Sequence, residues 1–535
     1  MRPPTITGRD RLLLNALAAA LVLRLLHLDE LSLWVDEGVT WSNATTGGWR
    51  DTVFSESNHP PVWWLVTRAW LTLFPGSGEA ALRMPAAIAG VLAVYLAYRV
   101  SLRLSDRAAV PSRGGFAGGD GRTALWVALL ATVNPFWIEY AQEARMYAAL
   151  LAESLGLTLL YLRWLDRGGR GPLVGYAVLA SVALHTNYYA LWPIAGHAAH
   201  ALLAARGARA RGERLSPVPL LVAQVAAGLS FVPWFLHMLS AYRGISPGEY
   251  EPLGRLAHAL WRMAVGPALV ALDAPRVRAG PAAVFAQEPV LVVTTALLWL
   301  VPIAFGVRAV WRDRGARAFL GASVLVPVAL VLLACVRWPL VHEKYLIFLA
   351  PFLLHLAVEG GRHAPRALRP VLLGGLVLLH AAGLVAYHLP DSAPGRLLVG
   401  EHRYGKEQWR EAHALVRDAR EAGDVVLLHA PFTHMTWAFY DRDGAVPASP
   451  VPPLDLPCDR ALEPADLLAR FPALREAKQA FLVLSHPATD DPDHYRGAVF
   501  GALVEAWGGV AFDARTDDVE LPRQWGVRVL RFRRP

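Results

Sequence analysis

Arg206-Gly207-Ala208-Arg209-Ala210-Arg211-Gly212-Glu213-Arg214 lies between two apolar runs, 190–205 and 217–238, and carries four arginines in nine residues. A transmembrane helix needs about 20 mainly apolar residues, and the cytoplasmic connections between such helices collect Arg and Lys. The stretch therefore reads as an inside loop of a multi-span membrane protein. The same alternation repeats outward from it. Arg103, Arg107, Arg113 and Arg122 fill one connection, and Arg163, Arg167 and Arg170 another. Arg308, Arg312, Arg314 and Arg317 fill a third, and Arg362, Arg366 and Arg369 a fourth. Between and around these loops fall eleven apolar runs, near 11–28, 85–102, 123–138, 146–164, 173–188, 190–205, 217–238, 288–307, 318–336, 345–359 and 370–388. With the N-terminus inside, eleven spans put every arginine cluster on the cytoplasmic face and residues 389–535 on the other side. The run 61–74 opens with His59-Pro60-Pro61, contains Arg68 and is short, so it reads as an interfacial helix.

Composition agrees with a membrane class. Of 535 residues, 54% are hydrophobic and 18% charged, and the mean hydropathy is +0.32. The formal charge of +8 does not indicate a nucleic-acid partner, because the basic residues sit between apolar runs rather than on one soluble face. Cys335 and Cys458 have no metal-site spacing. Arg24 and His27 stand where a signal peptide needs small residues, so the first run is expected to stay as an anchored helix.

The tail is different material. Lys406 to Ala422 has helical periodicity with charges on one face, Asp424 to His429 and Ala480 to Ser485 read as buried strands, and His494 to Trp507 reads as a second helix. A Pro-rich loop runs from Pro447 to Pro457. The expected organisation is a membrane domain over residues 1–390 and a small extracytoplasmic α/β domain over 391–535. Two long connections, 29–84 and 239–287, fall on the outer side.

Four polar clusters also fall on that side. Leu33-Trp34-Val35-Asp36-Glu37-Gly38 brings adjacent carboxylates just past the first helix; such a pair serves as a general base, a metal site or a solvated loop. Ile138-Glu139-Tyr140-Ala141-Gln142-Glu143-Ala144-Arg145-Met146-Tyr147, with Glu153 nearby, puts ionisable groups beside hydrocarbon, where they are costly unless paired or lining a wet cavity. His185-Thr186-Asn187-Tyr188-Tyr189 reads as interfacial aromatics or as part of a site. His342-Glu343-Lys344-Tyr345 places a cation outside, either snorkelling or facing a phosphate. Their agreement on one face suits a lipid-borne anionic substrate meeting a water-soluble acceptor.

With these residues on the page, the chain resembles the bacterial relatives of protein O-mannosyltransferases and the lipid A aminoarabinose transferase, within the GT-C superfamily of membrane glycosyltransferases. The resemblance rests on Trp34-Val35-Asp36-Glu37, His59-Pro60-Pro61-Val62-Trp63-Trp64, Glu79-Ala80-Ala81-Leu82-Arg83-Met84-Pro85, Gln142-Glu143-Ala144-Arg145-Met146-Tyr147, and His185 with Tyr188-Tyr189, in this order. Lys344 stands where the family commonly has Arg, which keeps the charge but loses bidentate geometry. The resemblance implies a polyprenyl-phosphate sugar donor, an inner-membrane location, and inverting transfer to a lipid, glycan or protein acceptor. It implies Asp36, with Glu37 beside it, as the catalytic pair, and Arg145, Lys344 and Arg83 as cations for the donor phosphate. His59, Glu143, Tyr147, His185, Tyr188, Tyr189 and Tyr345 are the expected substrate contacts. No cofactor is assigned, and a divalent metal held by Asp36 and Glu143 stays open. Lys406-Glu407-Gln408-Trp409-Arg410-Glu411 looks like the start of the family's outer domain.

Two other functions fit parts of the pattern. A transporter predicts inverted repeats and polar groups near the midplane, whereas these motifs gather at one face. An oligosaccharide ligase, moving a whole glycan from its lipid carrier, would look nearly the same.

Overall fold

The computed structural model describes residues 7–55, 58–76, 78–108, 121–212, 215–241, 251–269, 289–338, 340–399, 406–429, 431–450, 468–484 and 527–533. Each of the eleven apolar runs is helical. In chain order the first helices are α1 (Gly8–Leu25), α2 (Val35–Thr45), α3 (Trp49–Phe54), α4 (Val62–Leu73), α5 (Glu79–Ala108), α6 (Arg122–Val133), α7 (Pro135–Ala141), α8 (Tyr147–Arg167), α9 (Arg170–Thr186) and α10 (Leu191–Ala210). They are followed by α11 (Val218–Ala241), α12 (Pro252–Val265), α13 (Pro289–Trp311), α14 (Arg314–Ala334), α15 (Ala350–His363), which continues a 3-10 turn over Glu343–Leu349, and α16 (Arg369–His388). Among the described residues seven of these helices are long and apolar enough to cross a membrane, and the bent pair α6–α7 makes an eighth. The other three expected spans are α1, α9 and α10. They are present as helices, but α1 carries Arg9, Asp10, Arg11 and Arg24, α9 has 17 residues, and α10 is diluted by polar residues.

The bend between α6 and α7 is 59° and has a local cause. Pro135 has no N–H to continue α6 and is preorganised for a first helical turn, while the Asn134 side chain accepts from Trp137 N at 3.2 Å and caps α7. The break leaves the last carbonyls of α6 without intrahelical donors. Arg24 supplies them: its guanidinium, fully buried, donates to Ala131 O at 3.2 Å, Thr132 O at 3.3 Å and Ala20 O at 3.1 Å. Gln142 returns the favour to the end of α1, donating to Arg24 O at 3.2 Å and Leu26 O at 2.7 Å. The polar ends of α6 and α1 are thus closed by the side chains of Arg24 and Gln142.

Small residues set the tightest crossing in the bundle. A Cβ on Gly360 of α15 would meet Pro302 O at 1.8 Å, and one on Gly306 of α13 would meet Leu356 O at 2.0 Å. Without a hydrophobic drive between helices in lipid, such close backbone approach is a main source of packing energy.

The C-terminal part begins with α17 (Ala393–Val399) and α18 (Trp409–Ala419), and α19 (His434–Tyr440) follows the first strand. The strands are β1 (Val425–His429), β2 (Ser449–Pro450), β3 (Gln479–Leu484) and β4 (Arg528–Arg533), in sheet order β2-β1-β3-β4. β1 runs parallel to β2 and β3, and β4 is antiparallel to β3. The two expected strands are therefore the central pair, and a short β2 lies inside the expected Pro-rich loop. β4 was not anticipated. The expected helix over His494 to Trp507 lies outside the described residues.

This sheet domain is clamped onto the first connection. Arg410 donates to Glu79 Oε1 through Nε at 2.9 Å and Nη2 at 2.7 Å, and to Asp29 O at 2.7 Å. The Tyr440 hydroxyl accepts from Leu33 N at 2.7 Å and donates to Glu79 Oε1 at 3.0 Å. Glu407 accepts from Val35 N at 3.2 Å at the start of α2. α2 lies directly on α19, with Trp41 edge-on to Phe439.

Candidate active site

The site is built at the first turn of α2, where Asp36 and Glu37 follow each other and face different surroundings. Glu37 is fully buried. Its Oε1 accepts from Arg83 Nε at 2.7 Å and Ala144 N at 2.8 Å, and its Oε2 from Arg83 Nη2 at 2.8 Å and Lys406 Nζ at 3.0 Å. Burial alone would raise this carboxyl, but the charges of Arg83 and Lys406 and the hydrogen bonds it accepts hold it down to about 2. Expected as half of a catalytic pair, Glu37 is instead a sealed anion with both oxygens occupied.

Arg83 is committed in the same way. All five of its N–H donors are used: two on Glu37, and the rest on Leu28 O at 2.8 Å, Leu31 O at 2.8 Å and Ser32 O at 3.0 Å. No donor remains for a phosphate, which corrects its expected role. The Glu37–Arg83 pair buckles the first connection onto α5.

Asp36 is the open member, with 34% of its side chain exposed. Its Oδ2 lies 3.7 Å from Lys344 Nζ and 3.9 Å from Arg145 Nε, and these cations are 13% and 1% exposed. Arg145 also donates to the Asp36 carbonyl at 3.2 Å and to Thr40 Oγ1 at 3.4 Å, and it contacts His59 Nε2 at 3.4 Å. Its guanidinium rests on the Trp64 ring, 5.3 Å from the centroid. The Lys344 ammonium is ringed by Trp34, Tyr147 and Tyr345 at 5.2, 5.4 and 5.6 Å. Tyr345 stacks on Tyr189, with centroids 4.3 Å apart and an 8° tilt, and Tyr188 packs against Tyr189 at 4.9 Å.

Residues from all four polar clusters thus meet. His185 is the exception: its Nδ1 pairs with Ser181 O and its ring meets Phe231 edge-on, 5.3 Å away. Glu139 accepts both contacts from Arg262 Nη2 at 3.0 Å, a partner on α12 that the sequence reading did not name. Glu143 is buried, and its Oε2 has no hydrogen-bond partner among the described residues. Burial raises its carboxyl, against the pull of Lys406. Thr40 is not singled out by the sequence, and Trp34, Trp64 and Lys406 stand there in motifs without an assigned role; the tryptophans beside Asp36 and His59 are the one available signal.

A divalent metal between Asp36 and Glu143 does not fit this donor set. Asp36 already faces two cations, and among the described residues no group of three or more His, Cys, Asp or Glu side chains is placed to hold an ion.

No protein-family model matches the sequence, and no curated protein matches it. The structure is similar to that of ArnT from Cupriavidus metallidurans in the apo state, with 15% sequence identity, a TM-score of 0.58 and 98% of each chain covered. ArnT bound to undecaprenyl phosphate matches with 15% identity and a TM-score of 0.50 over 97% of each chain. The Archaeoglobus fulgidus oligosaccharyltransferase tethered with an acceptor peptide matches with 12% identity and a TM-score of 0.50, over 93% of this chain and 71% of that one. At these identities the likeness is one of fold: over nearly its whole length the chain has an ArnT-like fold.

Proposed function

We propose that the protein is an inverting glycosyltransferase that moves a sugar from a polyprenyl-phosphate donor to a hydroxyl of a lipid, glycan or protein acceptor. The observation that carries this reading is an open carboxylate, Asp36, held beside two sequestered cations, Lys344 and Arg145. Asp36 takes the proton of the acceptor hydroxyl. The hydroxyl oxygen bonds to the anomeric carbon on the face opposite the phosphate, and the carbon–oxygen bond to the phosphate breaks, its electron pair leaving with the phosphate. The donor phosphodiester carries one negative charge and the released monoester gains a second. Lys344 and Arg145 stabilise that developing charge, which is where preorganised cations contribute most.

Both cations also touch Asp36, at distances longer than the 2.7–2.9 Å or so of a charge-assisted hydrogen bond. A donor phosphate competes for the same two groups. As they turn to it, the Asp36 carboxylate is left to face the acceptor hydroxyl. Trp34, Tyr147 and Tyr345 exclude water around Lys344, which strengthens its field. Glu37 and Arg83 act as positioning residues for α2. The likeness in fold to a protein bound to undecaprenyl phosphate supports a lipid-phosphate ligand. The reading places α2 and the sheet domain on the extracytoplasmic face of a bacterial inner membrane, where lipid-borne sugar meets acceptor.

The test is turnover of the purified protein with a panel of polyprenyl-phosphate sugars, reading released lipid phosphate and transferred sugar. One donor consumed with inversion supports the reading; a folded protein that consumes none of them contradicts it.

A further inference from the structure

Lys406 comes from the far end of the chain, three residues before α18, yet its ammonium enters the site. Its side chain is 6% exposed, and a lysine so deeply placed is costly unless paired. The pairing is specific: Nζ donates to Glu37 Oε2 at 3.0 Å and to Gln142 O at 3.3 Å. Glu37 follows Asp36 in the chain, and Gln142 precedes Arg145 by three residues. One cation therefore joins the two backbone segments that carry the carboxylate and the guanidinium of the site. Glu143 is buried beside it, with Oε2 unpartnered among the described residues.

Anchoring the sheet domain does not require this lysine. Arg410, Tyr440 and Glu407 already tie the domain to Glu79, Leu33 and Val35 of the first connection. The Lys406 contacts instead reach inward, to the groups that set where Asp36 and Arg145 stand.

We propose that Lys406 is a positioning residue for the transfer reaction, holding Glu37 and the Gln142 carbonyl together so that Asp36 and Arg145 keep their spacing, which makes the C-terminal domain a working part of the active site. This rests on the transferase reading above. It predicts a kcat effect rather than a binding effect, because Lys406 touches neither the donor phosphate's proposed cations nor the open face of Asp36.

The experiment compares Lys406→Met, Lys406→Gln and Lys406→Arg with Arg410→Met, a docking control, by kcat, donor KM and thermal unfolding in detergent. A misplacement of about 1 Å in a site costs about 100-fold, so Lys406→Met or Lys406→Gln is expected to lower kcat about 100-fold with donor KM within about twofold of wild type. Lys406→Arg should recover a large part of the rate. Arg410→Met should lower the unfolding temperature and leave kcat within about threefold, as loss of a partly exposed ion pair does. The proposal is overturned if the neutral variants turn over like wild type, or if Arg410→Met loses as much kcat for the same loss of stability. A wild-type protein inactive on every donor overturns the transferase reading and this inference with it; an active wild type matched by Lys406→Met overturns the inference alone.

Discussion

Asp36 and Glu37 are neighbours in the chain, and one carboxylate is a third open between Lys344 and Arg145 while the other is sealed against Arg83 and Lys406. The first turn of α2 sends one side chain outward and the next into the protein, so two acids that look alike in sequence have separate tasks.

Glu37→Gln tests the sealed half. Removing one partner of a buried ion pair costs about 3–5 kcal/mol because the other charge stays behind uncompensated, so this variant should unfold at a much lower temperature. The pH dependence has a definite sign. The folded Glu37 carboxyl is held at about 2, below its ordinary 4.5, so its contribution to stability is present above about 4.5 and is lost as pH falls toward 2. Thermal unfolding of wild type measured from neutral pH downward should steepen in that window, and Glu37→Gln should flatten it. Parallel profiles would contradict the assignment.

Lys344→Met tests the cation on the open half. Removing one group that stabilises developing charge costs about 100- to 1000-fold in rate. The expected result is a kcat loss of that order, with Lys344→Arg recovering part of it because charge is retained in a different shape. A change confined to donor KM would show that Lys344 binds the ground state and transition state equally.

Gly38→Ala tests the seam between α2 and the sheet domain. A Cβ there would lie 2.1 Å from Thr436 Oγ1 and 2.7 Å from Thr436 Cα. Overpacking of this kind costs about 1–3 kcal/mol, and shortening Thr436 alone cannot relieve the clash with its Cα. The variant should lose unfolding temperature; an unchanged unfolding temperature would contradict the seam.

Topology is tested by a reporter fused after residue 390. Eleven crossings from an inside N-terminus put it outside, even though α1, α9 and α10 are shorter or more polar than the other spans. A cytoplasmic readout would mean that an odd number of these helices does not cross.

Local patterns carry the helices of the eleven apolar runs, α4, α18 and the two central strands, because apolar runs and β-rich segments are written in consecutive residues. The positions of the acids near membrane helices were equally legible. What sequence could not convey was pairing. Lys406 meets Glu37 across 369 positions, and Arg262 meets Glu139 across 123. Nothing in Val35-Asp36-Glu37 states which carboxylate turns inward, since that depends on Arg83 arriving from α5. β4 lies at the end of a long stretch of weak pattern and is specified by its partner, β3.

Asp36 is the proposed base. Its most direct test is the initial rate of sugar transfer by Asp36→Asn against wild type, with both shown to be folded by matching thermal unfolding. Loss of a positioned general base costs about 100- to 10,000-fold, so kcat should fall by at least about 100-fold with stability retained. Turnover at the wild-type rate in Asp36→Asn would contradict it.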